Sequence, residues 1–287
     1  MSNTLDPTLE PYIDQFIADA LKEDAPEGDR TSLACIPPDD RCMAKLLVKE
    51  PGVLAGAAIA ERIFKKLDEK TTFDLFIEDG KDVSYGDVAY KVECNTQALL
   101  LGERLSLNLM QRMSGIATQS SHFAFEVGDL PVKILDTRKT TPLLRFLEKY
   151  AVRVGGCQNY RTSLSDWFMI KDNHIRACGG VSKAIQKVNE YQKENGLDLG
   201  ITVEVRNLVE LHEALDCGDF TRVMLDNFEV PLMEEAVATV NKRFETEASG
   251  GVNIHNVRRV AQTGVDYISV GALTHSAQSL DLSLKII

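Results

Sequence analysis

Residues 132–175 read VKILDTRKTTPLLRFLEKYAVRVGGCQNYRTSLSDWFMIKDNHI. The stretch opens with a mostly apolar run, Val132 to Leu135, that stops abruptly at Asp136, Thr137, Arg138 and Lys139. Pro142 then stands near the start of a segment in which Leu144, Phe146, Leu147, Ala151 and Val154 recur at helical spacing, and Gly155 and Gly156 end it. A polar loop carrying Tyr160 and Arg161 leads to a second apolar run, Trp167 to Ile170, which again ends in charge at Lys171, Asp172, Asn173 and His174. Two strands separated by a helix, each finishing in a polar cluster, predict a βαβ unit with its chemistry at the strand C-termini.

The same rhythm continues downstream. Thr202–Val205 carries Glu204 and precedes a helix over 208–215, and Arg222–Leu225 ends in Asp226, Asn227 and Phe228 before a helix near Pro231. A strand over 243–246 runs into Glu247, Ala248, Ser249, Gly250 and Gly251, then a helix over 253–263; Tyr267–Val270, with Ser269, ends at Gly271, with Thr274 and His275 beyond. Six parallel strands, each ending in polar residues, fit an irregular and incomplete α/β barrel better than an open doubly wound sheet, because every strand supplies chemistry.

Upstream, Pro7–Lys22 carries a helical apolar stripe, Cys42–Val48 and Val88–Cys94 read as strands, and Gly56–Leu67 reads as a helix between them. The expected division is a mixed α/β domain of antiparallel strands and helices over 1–115 and a barrel over 116–275. A long helix over 101–127 links the two. The tail, 276–287, is apolar at alternate positions and is expected to return as a terminal strand on the first domain.

At 287 residues and 44% hydrophobic content, the chain can bury one large or two moderate cores. No apolar run approaches the roughly 18 residues of a membrane span, and the polar, acidic N-terminus is unlike a signal or transit peptide, so a cytoplasmic protein is expected. A net charge of −11 argues against nucleic acid as a partner. The six cysteines are scattered, with no CxxC pair, and read as buried free thiols in a reducing compartment.

Lys and Arg side chains are usually plain surface charges. Arg138, Lys139, Arg161 and Lys171 at adjoining strand ends read otherwise, since cations facing one cleft repel unless anions neutralise them. A substrate bearing carboxylates, phosphates or both resolves this; Arg suits forked contacts and Lys acts as a point charge. Ser249-Gly250-Gly251 alone would be an ordinary turn. Coupled to Gly271 and His275 in the last βα unit, and to a helix N-terminus, it predicts a phosphate site. Glu204 and Asp226 end consecutive strands and read either as Mg²⁺ ligands or as salt-bridge partners of the lysines. His174 is expected to support its loop, and His212 and His255 to be ordinary helix residues.

In these residues the sequence resembles the quinolinate phosphoribosyltransferase family. The resemblance runs through GDRTS near position 30, KEPGVLAG, ERLSLNLMQRMSGIAT, LDTRKTTP, LEKYAVRVGG, IKDNHI, VEV, MLDN, ASGG and SVGALTHS, and LDTRKTTP with IKDNHI is its most specific part. It implies an N-terminal α/β sandwich, an irregular C-terminal α/β barrel, and a homodimer in which each active site is completed by the partner. It also implies conversion of quinolinate and phosphoribosyl pyrophosphate to nicotinate mononucleotide, CO₂ and pyrophosphate, with Mg²⁺. By motif, Arg138, Lys139, Arg161 and Lys171 would surround the quinolinate carboxylates and the pyrophosphate, and Glu204 and Asp226 would hold Mg²⁺ and the ribose side. Ser249, Gly250, Gly251, Ser269, Gly271 and His275 would form the phosphate cradle, and Arg104 would reach across from the other subunit.

The family usually places His before the Arg matching Arg161. Here the loop reads GGCQNYR, so Tyr160 stands in its place and Cys157 replaces Gly. Tyr can donate one hydrogen bond but brings no positive charge near neutral pH. A related phosphoribosyltransferase-like protein of the molybdate-transport-associated type, with another acceptor, would share these motifs. A Schiff-base barrel aldolase would instead use Lys139 or Lys171 as nucleophile.

Overall fold

A computed structural model describes residues 9–287. The first part of the Pro7–Lys22 helix expectation and the N-terminal octapeptide lie outside the described residues. The described chain divides into two compact units: residues 9–121, 146–156 and 277–287 form one, and residues 122–145 and 157–276 the other.

The first unit starts with α1 (Glu10–Asp24) and α2 (Arg30–Cys35), which Asp29 caps by accepting from the backbone N–H groups of Thr31 and Ser32. Strand β1 (Arg41–Val48) follows, then the short β2 (Gly52–Val53), helix α3 (Ala57–Leu67), β3 (Thr72–Leu75), β4 (Asp82–Val83) and β5 (Val88–Asn95). Ala44, Leu46 and Val48 alternate on one face of β1, and Ala57, Ala60 and Phe64 recur at helical spacing on α3. These faces bury together with Leu54, Tyr90, Val92 and Leu99 as one apolar core. Its sheet has the order β12-β1-β5-β3, where β12 (Leu282–Ile286) pairs antiparallel with β1 and places Leu284 opposite Leu46.

The long helix is α4 (Thr96–Glu126), which starts five residues earlier than its sequence pattern suggests because Asn95 accepts from the Ala98 N–H at its start. After β6 (Lys133–Leu135), the helix α5 (Arg145–Val154) belongs to the first unit. In this division the second unit starts at residue 122, and residues 146–156 count with the first unit. The cause is polar as well as apolar: buried Glu148 accepts from Arg112 Nε at 3.0 Å, and the Tyr150 hydroxyl donates to Asp79 at 2.8 Å. Gly115 on α4 lies so close to the tail that a Cβ there would collide with the carbonyl oxygen of Gln278. Gly115→Ala is expected to destabilise the protein by on the order of 1–3 kcal/mol, measured by denaturant unfolding.

The second unit holds one parallel sheet in the order β6-β11-β10-β9-β8-β7. After β7 (Phe168–Ile170) come α6 (Asp172–Cys178) and α7 (Val181–Asn195), then β8 (Ile201–Val205), α8 (Leu208–Cys217), β9 (Arg222–Asp226), α9 (Val230–Val240), β10 (Glu245–Ser249), α10 (Val257–Ala261), β11 (Tyr267–Ser269) and α11 (Ala272–His275). A single parallel bridge, Leu135 to Gln158, is all that adds to the β6 edge. With residues at or just past the ends of all six strands lining one cavity, the sheet curves round into an incomplete barrel.

Two sequence expectations shift. The strand placed over 243–246 is β10 (Glu245–Ser249), so Glu247 lies inside a strand rather than in a turn. The helix placed over 253–263 is only α10 (Val257–Ala261), and His255 stands in the turn before it. Of the six free cysteines, Cys94 and Cys157 are buried, whereas Cys35 is exposed and the rest are intermediate. Among the described residues no helix is long and apolar enough to cross a membrane.

Candidate active site

A cavity of about 530 Å³ opens at the C-terminal ends of the parallel strands. Its lining brings together Arg138, Lys139, Tyr160, Arg161, Lys171, Glu204, Asp226, Ser249, Gly250, Gly251 and Ser269, all singled out from sequence, and adds Thr137, Met169, Met224 and Asn227. Gly271 and His275 stand just outside this lining, but a Cβ on Gly271 would come within 3.0 Å of both His275 Nε2 and Lys139 Cδ. The Lys139 stem and the His275 ring thus meet over the last turn, and Thr274 Oγ1 donates to the Lys139 carbonyl at 2.8 Å to hold it there. Arg104 lies on α4 in the other unit, exposed.

Strand periodicity places these groups. On β7 and the residues flanking it, Trp167, Met169 and Lys171 share one face, as do Thr202 and Glu204 on β8, Arg222, Met224 and Asp226 on β9, and Glu245, Glu247 and Ser249 on β10. The upper members form the cavity. Lys171 Nζ donates to Glu204 Oε2 at 2.6 Å, and the Lys171 backbone N–H donates to His174 Nδ1 at 3.0 Å, so His174 orients the lysine rather than lining the cavity. Lys171 is thus paired with a carboxylate rather than presented alone, an arrangement that does not favour the aldolase alternative there.

The Arg161 side is built by buried Asp136, which accepts from Asn159 Nδ2 at 2.6 Å and from the Tyr160 N–H at 2.8 Å. Arg161 donates to the Trp167 carbonyl at 3.1 Å. Burial and the like charge of Arg138 both push the Arg161 guanidinium below its ordinary pKa. Arg138 Nε is buried and has no hydrogen-bond partner among the described residues. Two crowded guanidiniums, one with an unsatisfied buried donor, make a site that an anion completes.

The loop after Arg161 is anchored by Asp166. Burial opposes its charge, but hydrogen bonds from the hydroxyls and N–H groups of Thr162 and Ser163 outweigh that and lower its carboxyl from 3.8 to about 2. A depressed carboxyl stabilises the fold fully above its unfolded value and loses that contribution as pH falls through the folded value. Asp166→Ala is expected to reduce the protection of the Thr162 and Ser163 amides from exchange, relative to their intrinsic rates, at pH 7, a loss the unaltered protein should approach only near pH 2.

The glycine turn is shaped by Asn227, whose backbone N–H donates to the Ser249 carbonyl at 2.8 Å and whose side chain donates to Asp226 at 2.8 Å. Gly250, at φ 92°, has no room for a Cβ against the Asn227 amide, while Gly251, at φ 63°, faces open space. Contrary to the sequence expectation, no strong helix dipole points here. The five-residue α10 starts six residues after Gly251, and the Asn253 and Asn256 amides donate to the Gly251 carbonyl instead. An anion at this turn would be held by backbone N–H groups.

Glu204 and Asp226 are the acidic side chains of the cavity, and among the described residues no group of three His, Cys, Asp or Glu side chains gathers to hold a metal. Two carboxylates beside a phosphate turn fit Mg²⁺, which takes few protein carboxylates and completes its shell with water and phosphate oxygens. They do not make a protein-only cage.

Sequence reasoning missed the layer below. Arg222 donates to Glu245 at 2.8 Å and to fully buried Glu247 at 3.1 Å, and Ser269 Oγ donates to Glu247 at 2.5 Å. The signal was present as charged residues on one face within strands, Arg222 and Asp226 four apart and Glu245 and Glu247 two apart, which a buried barrel strand does not otherwise carry.

Fold and site together define an α/β-barrel enzyme that handles a multiply charged, phosphorylated substrate. Family models described as the N-terminal and C-terminal domains of quinolinate phosphoribosyl transferase match residues 29–114 and 116–285. The chain belongs to the quinolinate phosphoribosyltransferase family. It is 48% identical over 282 residues to quinolinate phosphoribosyltransferase (decarboxylating) 1b of Nicotiana tabacum, across 93% of this chain and 80% of that one. It is 45% identical to the chloroplastic nicotinate-nucleotide pyrophosphorylase (carboxylating) of Arabidopsis thaliana over the same shares. A crystal structure of NadC from Streptococcus pyogenes superposes with a TM-score of 0.91 at 37% identity, covering 100% of each chain.

Proposed function

We infer that this chain is a pentosyltransferase that converts quinolinate and phosphoribosyl pyrophosphate to nicotinate mononucleotide, CO₂ and pyrophosphate. The single observation that carries the reading is the unsatisfied Arg138 Nε beside a crowded Arg161, in a cavity that also holds Lys139 and Lys171. Quinolinate brings two adjacent carboxylates to such a pair, and a guanidinium can grip a carboxylate through two parallel N–H bonds.

With the carboxylates gripped, the ring nitrogen is aimed at C1 of the phosphoribosyl group, whose 5-phosphate rests on Ser249, Gly250 and Gly251 and near Gly271 and His275. Attack by the nitrogen forms the C–N bond as the C1–O bond to pyrophosphate breaks, through an oxocarbenium-like state. Lys139 and Lys171 offset the charge growing on the leaving pyrophosphate. The adjacent carboxylate then leaves as CO₂, its electron pair stays on the ring carbon as an ylide stabilised by the now cationic nitrogen beside it, and a proton takes that pair. Positioning and neutralisation are the protein's contribution. Glu204 and Asp226 would hold Mg²⁺, which would add positive charge at the pyrophosphate.

A homodimer in the cytoplasm, with Arg104 reaching the partner's cavity, completes the proposal; free cysteines suit a reducing compartment. The test is incubation with quinolinate, phosphoribosyl pyrophosphate and Mg²⁺, following CO₂ and mononucleotide. Both should appear in equal amounts, and replacing quinolinate by nicotinate should abolish turnover; CO₂-free or equally fast reaction with nicotinate would refute the assignment. For the shared site, Arg104→Ala and Lys171→Ala chains, each inactive, should regain part of the activity when mixed as heterodimers.

A further inference from the structure

The loop from Tyr160 to Trp167 carries Arg161 near its start and is exposed at Thr162, Leu164 and Ser165. Asp166 orders its interior, but the sheet holds its two ends. The Tyr160 hydroxyl lies 2.5 Å from Thr202 Oγ1, and Trp167 Nε1 donates to that same oxygen at 2.9 Å. Thr202 stands on β8 and is fully buried. A hydroxyl has two lone pairs and one proton, so it can accept from the indole and share a second hydrogen bond with the phenol. The strand also makes room for the indole. A Cβ on Gly200 would come within 2.1 Å of the Trp167 ring, so the missing side chain opens a slot beside the hydroxyl that fastens the ring in it. The Trp167 carbonyl in turn accepts from Arg161 at 3.1 Å, and Arg161 follows Tyr160 in the chain. Tyr160, Arg161, Trp167 and Thr202 thus close a ring, and of the four only Thr202 lies outside the loop.

We propose that Thr202 is a positioning residue for the acceptor substrate: one buried hydroxyl pins both ends of the loop to β8 and so fixes the Arg161 guanidinium in the cavity that Arg138 also lines. Two like charges facing one cavity push apart while no anion lies between them. A loop free to yield would let Arg161 swing away, and each binding event would then have to order it again. Holding the loop in its bound form removes that cost. Lys139, Lys171 and the Ser249 turn are fixed by other contacts, through Thr274, His174 with Glu204, and Asn227. Thr202 therefore acts on recognition of the carboxylates and not on the groups assigned to phosphoribosyl pyrophosphate.

This inference rests on the function proposed above, and the test separates the two. Quinolinate binding is measured by calorimetry and the KM for phosphoribosyl pyrophosphate by turnover, for the unaltered protein, Thr202→Val and Thr202→Ser. Trp167 is the sole tryptophan of the chain, so quenching of its emission by acrylamide reports on the slot directly. Thr202→Val keeps the shape and removes the hydroxyl. It should weaken quinolinate about tenfold, the scale of one or two lost hydrogen bonds, and make Trp167 easier to quench. The KM for phosphoribosyl pyrophosphate should stay within about twofold, a selectivity that general loosening of the fold would not give. Thr202→Ser, which restores the hydroxyl, should bring quinolinate binding and quenching back toward the unaltered values. Unchanged quinolinate binding in Thr202→Val, an equal loss for both substrates, or a serine variant no better than the valine one would overturn the role of Thr202 while leaving the function intact. An unaltered protein that binds no quinolinate would overturn both. If Thr202→Val fails to fold, Trp167→Phe, which removes the indole donor and keeps an aromatic ring in the slot, replaces it with the same two substrate readings.

Discussion

Lys171→Ala should lower turnover by on the order of 10²–10³-fold, the usual cost of removing one preorganised charge partner of a transition state. Three features fix Lys171: it follows β7 directly, its N–H is held by His174, and its ammonium meets Glu204 at 2.6 Å. On the proposed function, deleting it removes a cation set against the leaving pyrophosphate. It also takes away the ammonium with which Glu204, only 8% exposed, is paired. Both changes raise the barrier. The measurement is single-turnover rate with both substrates saturating, and near-native turnover would contradict the role.

Arg222→Met should cost about 3–5 kcal/mol of stability, the range for breaking a buried ion pair by removing one partner. Arg222 serves two carboxylates, and Glu247 has no solvent to fall back on. The side chain also lies 3.6 Å from the Tyr267 ring centroid, so the loss includes a desolvated cation–π contact. The pH dependence has a definite sign. Burial already raises the Glu247 carboxyl above its ordinary value, and without Arg222 it should climb further. A carboxyl raised in the folded state favours folding at low pH and penalises it above the unfolded value, about 4.3 for Glu. The deficit should therefore be largest at pH 7 and shrink as the pH falls toward 4. Denaturant midpoints across that range measure it, and a deficit independent of pH would show that Glu247 is not the group left unpaired.

The ends of the parallel strands were legible because an apolar run that stops at a charged cluster is a local signal, and LDTRK, IKDN, VEV and MLDN each carry it. The antiparallel sheet was legible for a similar reason, since alternation in β1 and in residues 282–286 marks one buried face. Two things were not. The apolar face of α5 says that the helix is buried but not against what, and its partners Arg112 and Asp79 are far away in the chain. The Arg222–Glu247 pair was hidden by a strand placed two residues too early, which put Glu247 in a turn where a carboxylate attracts no notice. A shift of two residues keeps every side chain on its own face, so nothing in the apolar pattern exposed the error.

The pairing of β12 with β1 joins residues separated by more than two hundred positions, Val48 with Leu282 and Ala44 with Ile286. During synthesis the first sheet must wait with one edge open until residues 282–286 have emerged. Closing so long a loop forfeits chain entropy before any contact repays it, and contacts so distant in sequence slow folding. The earliest part of this chain to be made is thus among the last to be finished, and a ribosome-bound fragment ending before residue 282 should expose β1 as an unpaired edge for chaperones to cover.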